Sequence, residues 1–169
     1  MSDVHVRWMI RRDFAEVLEI ERQAFQFPWS EDEFVRCLRQ RNCIGMVAEE
    51  RPSERVAGYV IYELHKDRLH VLNVAVAESQ RRLGVGRALL ERLIGKLTPN
   101  RYRRIVLEVR ETNVGAQKFF AKLGFRAVSI LKDFYDDTDE DAIVFQYRYR
   151  STTPIADEAV ADGEDLCGR

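Results

Sequence analysis

Apolar residues recur at two spacings along the chain, and each change of spacing marks an element. Val4 to Met9 shows a weak two-residue alternation and reads as a short strand. From Arg11 the spacing becomes helical: Phe14, Val17, Leu18, Glu21 and Phe25 recur every three or four positions, with Val17, Leu18 and Phe25 on the apolar face. That helix stops near Phe25, because Phe27 precedes Pro28 and is held extended. Ser30-Glu-Asp-Glu33 is a capping box and opens a second helix over about 31–40. Cys43–Glu49 and Arg55–His65 read as strands joined by the turn Arg51–Glu54. Leu69–Ala77, densely apolar, is a third strand and belongs at the centre of a sheet. A helix after Gly84 buries Val85, Leu89, Leu93 and Leu97 and runs to Pro99.

Arg103–Arg110 is a strand with Ile105, Leu107 and Val109 on one face and Val106 and Glu108 on the other. Asn113–Leu123 is a helix closed by Gly124, and Phe125–Leu131 and Ala142–Tyr149 are the last strands. This order predicts an α/β fold, a mixed sheet in one domain over residues 1–150. Beyond Ser151 the periodicity is lost and the composition turns acidic, so 151–169 reads as a disordered tail.

Composition narrows the class. The chain has 169 residues, with 28 acidic against 27 basic, which argues against a dedicated nucleic-acid binder. No apolar run approaches the roughly 20 residues that span a bilayer, and no secretory signal opens the chain, so a cytoplasmic protein away from membranes is expected. Cys37, Cys43 and Cys167 form no C-x-x-C or Cys/His group and read as reduced thiols. His5, His65 and His70 lack ligand spacing, and the acidic run Asp136–Asp141 lacks the calcium-loop pattern; no metal is expected.

The candidate chemistry lies in Asn73-Val-Ala-Val-Ala-Glu-Ser-Gln-Arg-Arg-Leu-Gly-Val-Gly-Arg-Ala-Leu-Leu90, a strand, a polar turn and a glycine-opened helix. Arg81-x-x-Gly84-x-Gly86 puts unpaired helical N–H groups and the positive end of a helix dipole together, a cradle for phosphate. Arg82 and Arg87 add charge. Leu89 stands where a dinucleotide fingerprint needs its third glycine, and no Gly-Lys-Ser/Thr follows for a nucleotide-triphosphate loop. The glycines can also serve close packing of helix on strand alone. Glu108 is the other candidate, since a carboxylate in an apolar strand is costly unless paired. Either it works as a base, or it pairs with Arg104 or Arg110 on the same strand face.

Val-Ala-Val…Gln-Arg-Arg-Leu-Gly-Val-Gly-Arg-Ala-Leu-Leu resembles the acetyl-CoA motif of the GNAT superfamily of N-acetyltransferases. The similarity continues through Leu107-Glu-Val-Arg-Glu-Thr-Asn113 and Lys122-Leu-Gly-Phe125. Phe27-Pro-Trp-Ser30, and Phe134-Tyr135 with Glu140-Asp-Ala142, resemble segments of the ribosomal-protein-alanine (RimI) type within it. The resemblance implies a GNAT fold, a mixed and mostly antiparallel central sheet flanked by helices. It implies acetyl-CoA as cosubstrate and a protein N-terminus, with a ribosomal protein as one candidate, as acceptor. Acetyl would pass directly within a ternary complex.

By the same resemblance, Val74, Ala75 and Val76 face the pantetheine, and Arg81, Arg82, Leu83, Gly84, Val85, Gly86 and Arg87 line the pyrophosphate. Asn113 caps its helix by its own chemistry, and the resemblance adds a contact to CoA. Glu108 matches the base position. Phe27, Pro28 and Trp29 form a wall of the peptide pocket, or simply a buried aromatic turn. Asp141 is a substrate-binding candidate. The departure is Phe120, on the CoA side, where RimI-type enzymes carry the tyrosine that protonates the leaving thiolate. Water or Tyr135 would have to replace it; Tyr135 is also a peptide-binding candidate, or one half of an exposed aromatic pair with Phe134. Transfer to a small-molecule amine or a lysine, and a non-catalytic CoA-binding domain, remain alternatives.

Overall fold

The strand Arg68–Val76 (β4) takes the middle of the sheet, as its apolar density requires. The computed structural model describes residues 3–151. Within them β1 (Val4–Trp8), β2 (Cys43–Glu50), β3 (Val56–Leu64), β4, β5 (Arg104–Arg110), β6 (Arg126–Leu131) and β7 (Ala142–Arg148) form one seven-stranded sheet. Its order is β1-β2-β3-β4-β5-β7-β6, and only β4 and β5 run parallel. The helices are α1 (Phe14–Ala24), α2 (Glu31–Leu38), α3 (Val85–Ile94) and α4 (Val114–Leu123). The expectation for the tail falls almost wholly outside the described residues.

Alternation along the strands builds a core on each face. Leu69, Val71, Ile105, Leu107 and Val109 pack with Leu89, Leu90 and Leu93 of α3 and with Phe120 of α4. On the opposite face Tyr59, Ile61 and Ala75 meet Val17 and Ile20 of α1 and Phe34 of α2. The capping chemistry forms as its residues dictate. Ser30 Oγ accepts from Glu33 N–H at 3.2 Å, and Glu33 Oε2 accepts from Ser30 N–H at 2.7 Å. Asn113 Oδ1 accepts from Ala116 N–H at 3.1 Å, and Gly124 closes α4 at φ 102°.

Helix α3 ends at Ile94, short of the expected Pro99. Gly95 takes the cap, and Lys96 and Leu97 continue only as tight turns, bonding to the carbonyls of Leu93 and Ile94. Leu97 is buried all the same.

One irregularity shapes everything that follows. In the β3–β4 ladder Ile61 faces Asn73 and Tyr62 faces Val71, so Leu72 is an extra residue, a β-bulge. The bulge reverses which face each later residue of β4 meets. Leu69 and Val71 point to the α3 core, whereas Asn73 reaches Glu21 of α1. It also bends β4. The parallel pairing with β5 covers only Arg68–His70 against Arg104–Val106.

Candidate active site

Past His70 and Val106 the two central strands part, and the gap between them is a cleft of about 240 Å³. Val71–Val74 line one side and Leu107–Arg110 the other. A gap between strands exposes main-chain N–H and C=O groups that a sheet would otherwise satisfy, so an extended ligand can pair there. Phe27, Trp29, Glu108, Asn113, Phe120 and Tyr135 all reach this cleft.

Glu108 pairs with neither arginine considered from the sequence. Arg104 donates to Gln146 Oε1 at 3.1 Å, and Arg110 turns to Asp137 at 2.6 and 2.9 Å. Its partner is His70, whose Nε2 lies 2.7 Å from Glu108 Oε2 and 3.0 Å from Oε1. The parallel register sets His70 opposite Val106, one alternation before Glu108 on the same face. The hydrogen bond to Glu108 raises the His70 pKa above its ordinary value; burial opposes it, and the charges of Glu108 and Glu63 add to the rise. A carboxylate and an imidazole are thus hydrogen-bonded at the point where the strands separate.

The glycine turn lies at the β4 end of the cleft. Gly84 is the N-cap of α3 at φ 86°, with no side-chain cap on the helical N–H groups. A Cβ on Gly84 would meet nothing within 4 Å, so this glycine serves backbone conformation. Gly86 serves packing: a Cβ there would lie 3.0 Å from the Phe119 ring and 3.5 Å from Val76. The close-packing reading of the glycine pair therefore holds at Gly86 and not at Gly84, whose role is conformational. Arg82 is itself left-handed at φ 63°, and the side chains of Arg82 and Leu83 are both exposed. Arg81 Nε donates to the Val76 carbonyl at 3.2 Å, and Arg87 approaches Glu91 at 3.4 Å. Val85 is buried in the α3 core, and Ala75 and Val76 pack on opposite faces of β4.

Across the cleft from β4, Arg110 lies between two aromatic rings, 3.9 Å from the centre of Tyr135 and 5.7 Å from that of Phe27. This stack ties the α1–α2 loop to the β6–β7 loop. Burial pushes the Tyr135 hydroxyl pKa up, against the charge of Arg110. Phe134 lies edge-on to Tyr135 at 5.0 Å. Phe120 is buried against Phe125 and Phe145 and shows one side to the cleft. Pro28 is exposed. Asp141 does not line the cleft: its carboxylate accepts from Asp133 N–H at 2.9 Å and Lys132 Nζ at 3.0 Å, closing the β6–β7 loop.

The Acetyltransferase (GNAT) family pattern matches residues 14–125. The chain belongs to this family. It is 34% identical over 134 residues to the [ribosomal protein bS18]-alanine N-acetyltransferase of Escherichia coli K12, covering 78% of this chain and 88% of that one. The crystal structure of the Escherichia coli ribosomal-protein-S18-alanine N-acetyltransferase superposes with a TM-score of 0.77 at 28% identity, over 90% of this chain and 98% of the other. Arabidopsis thaliana NAA60, solved in complex with acetyl-CoA, shares the fold at a TM-score of 0.76 and 20% identity, over 86% of this chain and 98% of that one. The expected GNAT architecture is the one observed.

Within this GNAT cleft, sequence reasoning missed two residues. His70 was passed over because its partner is 38 positions away and is delivered by strand register. Glu21, read only as part of a helical repeat, is a buried carboxylate satisfied by Trp29 N–H at 2.9 Å, Asn73 Nδ2 at 2.7 Å and the Tyr59 hydroxyl. It anchors the aromatic loop to the bulge in β4. A Glu on the otherwise apolar side of a helix was the available signal. Among the described residues, no helix of this GNAT domain is long and apolar enough to cross a membrane.

Proposed function

We propose that the protein transfers acetyl from acetyl-CoA to the N-terminal α-amine of a cytoplasmic protein, a ribosomal protein beginning with alanine being the favoured acceptor. The observation that carries this reading is the Glu108–His70 pair at the parting of β4 and β5, facing the aromatic wall of Phe27, Trp29 and Tyr135. Pantetheine lies along the freed edge of β4 at Val74–Val76, and the pyrophosphate rests on the uncapped N–H groups from Gly84 to Arg87. The amine attacks the thioester carbon, a β4 N–H polarises the carbonyl oxygen, and the C–S bond breaks. The proton leaving the amine passes to Glu108, directly or through water, with His70 orienting the carboxylate.

An α-amine suits so modest a base. With a pKa near 7.7–8.0, roughly a seventh of it is neutral at pH 7, against about one part in 2,500 for lysine near 10.4. The thiolate takes its proton from Tyr135 or from water, since Phe120 has none to give. The test is CoA thiol release with an Ala-starting peptide, set against lysine peptides and small amines. The Ala peptide is expected to be preferred, and preference for either other acceptor overturns the reading.

Phe120 favours one rival, a CoA-binding domain without turnover. Acetyl-CoA binding by calorimetry, with no thiol release for any acceptor, would establish that rival.

A further inference from the structure

The β3–β4 hairpin gathers three side chains, of which acetyl transfer uses only His70. Glu63 and His70 are paired directly across the hairpin, and His65 follows in its turn, where its N–H donates to the Arg68 carbonyl at 2.9 Å. Glu63 Oε1 lies 3.5 Å from His65 Nε2 and 3.5 Å from His70 Nδ1. All three atoms fall within 4.8 Å of one another. His65 Nε2 is shut away from solvent yet makes no hydrogen bond, an arrangement that is costly unless another partner is supplied. The histidines without ligand spacing in the sequence thus acquire it through the hairpin.

The distances have a specific meaning. A tetrahedral ion bound at about 2.0–2.2 Å by nitrogen and oxygen holds its donors about 3.3–3.5 Å apart. The two separations from Glu63 already have that value, and the third, between the two imidazole nitrogens, is within 4.8 Å. Two imidazoles and one carboxylate suit zinc and its neighbours, whereas magnesium and calcium prefer oxygen alone. We propose that Glu63, His65 and His70 bind a divalent transition-metal ion of the zinc class, with water in the fourth position.

Such an ion sits one ring away from Glu108. With metal on Nδ1, His70 carries its proton on Nε2, aimed at Glu108 from 2.7 Å, a carboxylate–histidine–metal chain. Glu108 then holds a fixed hydrogen bond and His70 cannot reorient, so metal uptake slows acetyl transfer. This second consequence rests on the reading of Glu108 as base; metal binding does not.

The experiment uses the full chain with Co²⁺ and Zn²⁺ as probes. Co²⁺ is expected to bind with the visible bands of a tetrahedral ion and without a near-ultraviolet thiolate band, and Zn²⁺ to displace it. The thiolate band matters because Cys37 and Cys43, 3.1 Å apart, are the rival donors. His65→Ala should weaken Zn²⁺ by more than about tenfold, the loss that even outer-shell changes cause. It should keep metal-free turnover and lose the inhibition by Zn²⁺ seen in the native chain. Absence of saturable binding, binding that survives both His65→Ala and Glu63→Gln, or a thiolate band abolished by Cys37→Ser would each overturn the site. Zn²⁺ bound through His65 without slowing turnover overturns the link to Glu108. If metal-free protein acetylates nothing, the transfer reading fails while the Co²⁺ spectrum still decides the site.

Discussion

At the scale of single residues, the proposed chemistry turns on Glu108 and on the missing hydroxyl at position 120. Glu108→Gln keeps the size of the side chain and a hydrogen bond to His70 but cannot accept a proton. It should lower kcat by about 10²–10⁴-fold and leave the KM for acetyl-CoA unchanged; full turnover at neutral pH would remove Glu108 from the mechanism. Among the described residues lining the cleft, Tyr135 carries the hydroxyl, whose pKa burial pushes up. Tyr135→Phe preserves the stack on Arg110 and isolates the hydroxyl. Turnover should fall, and Phe120→Tyr in that background should restore it. Faster turnover in Phe120→Tyr alone, with no effect of Tyr135→Phe, leaves water as the proton donor. Glu108 was legible because a carboxylate in an apolar strand demands an explanation. His70 was not, since an isolated histidine carries no signal until register supplies its neighbour.

At the scale of elements, the glycine turn separates two requirements that sequence alone merges. Gly84 holds a left-handed conformation with open space around it, whereas Gly86 has an ordinary conformation and a crowded neighbour. Gly84→Ala therefore strains the backbone by about 1–2 kcal/mol without any clash. The relaxed turn moves the N–H groups of α3, so the KM for acetyl-CoA should rise while turnover at saturation holds. Gly86→Ala should instead disturb Phe119 and lower thermal stability. Kinetics and melting curves on the pair check both; equal loss of stability with unchanged KM would mean that the turn only packs. The helix itself was legible from its period, but its end was not, because Leu97 stays buried through turns that continue the apolar spacing beyond Gly95.

For the whole molecule, the order of elements followed from periodicity, whereas the feature that makes a site, the parting of β4 from β5, did not. A one-residue bulge at Leu72 shifts the alternation of a densely apolar strand by a single position, too small a change to predict a parting of strands. A second long-range feature, equally silent in sequence, fastens the first strand to the first helix. Arg7 donates to Asp13 at 2.8 and 2.9 Å and to Glu49 at 2.9 Å, with both carboxylates buried. Burial alone would push the Asp13 carboxyl up, but hydrogen bonds from Arg7 and the Ile10 N–H, with the Arg7 charge, hold it below its usual range. A depressed folded value means that the stabilisation is present above the unfolded value near 3.9 and is lost as pH falls through the folded one. Asp13→Asn should cost about 2 kcal/mol at pH 7, less than the 3–5 of a fully broken buried pair, because Arg7 keeps Glu49. Denaturant titrations should show the gap between native and variant proteins closing as pH drops from about 5 toward 2. A gap that stays constant over that range would show that this cluster does not set the acid limit of the fold.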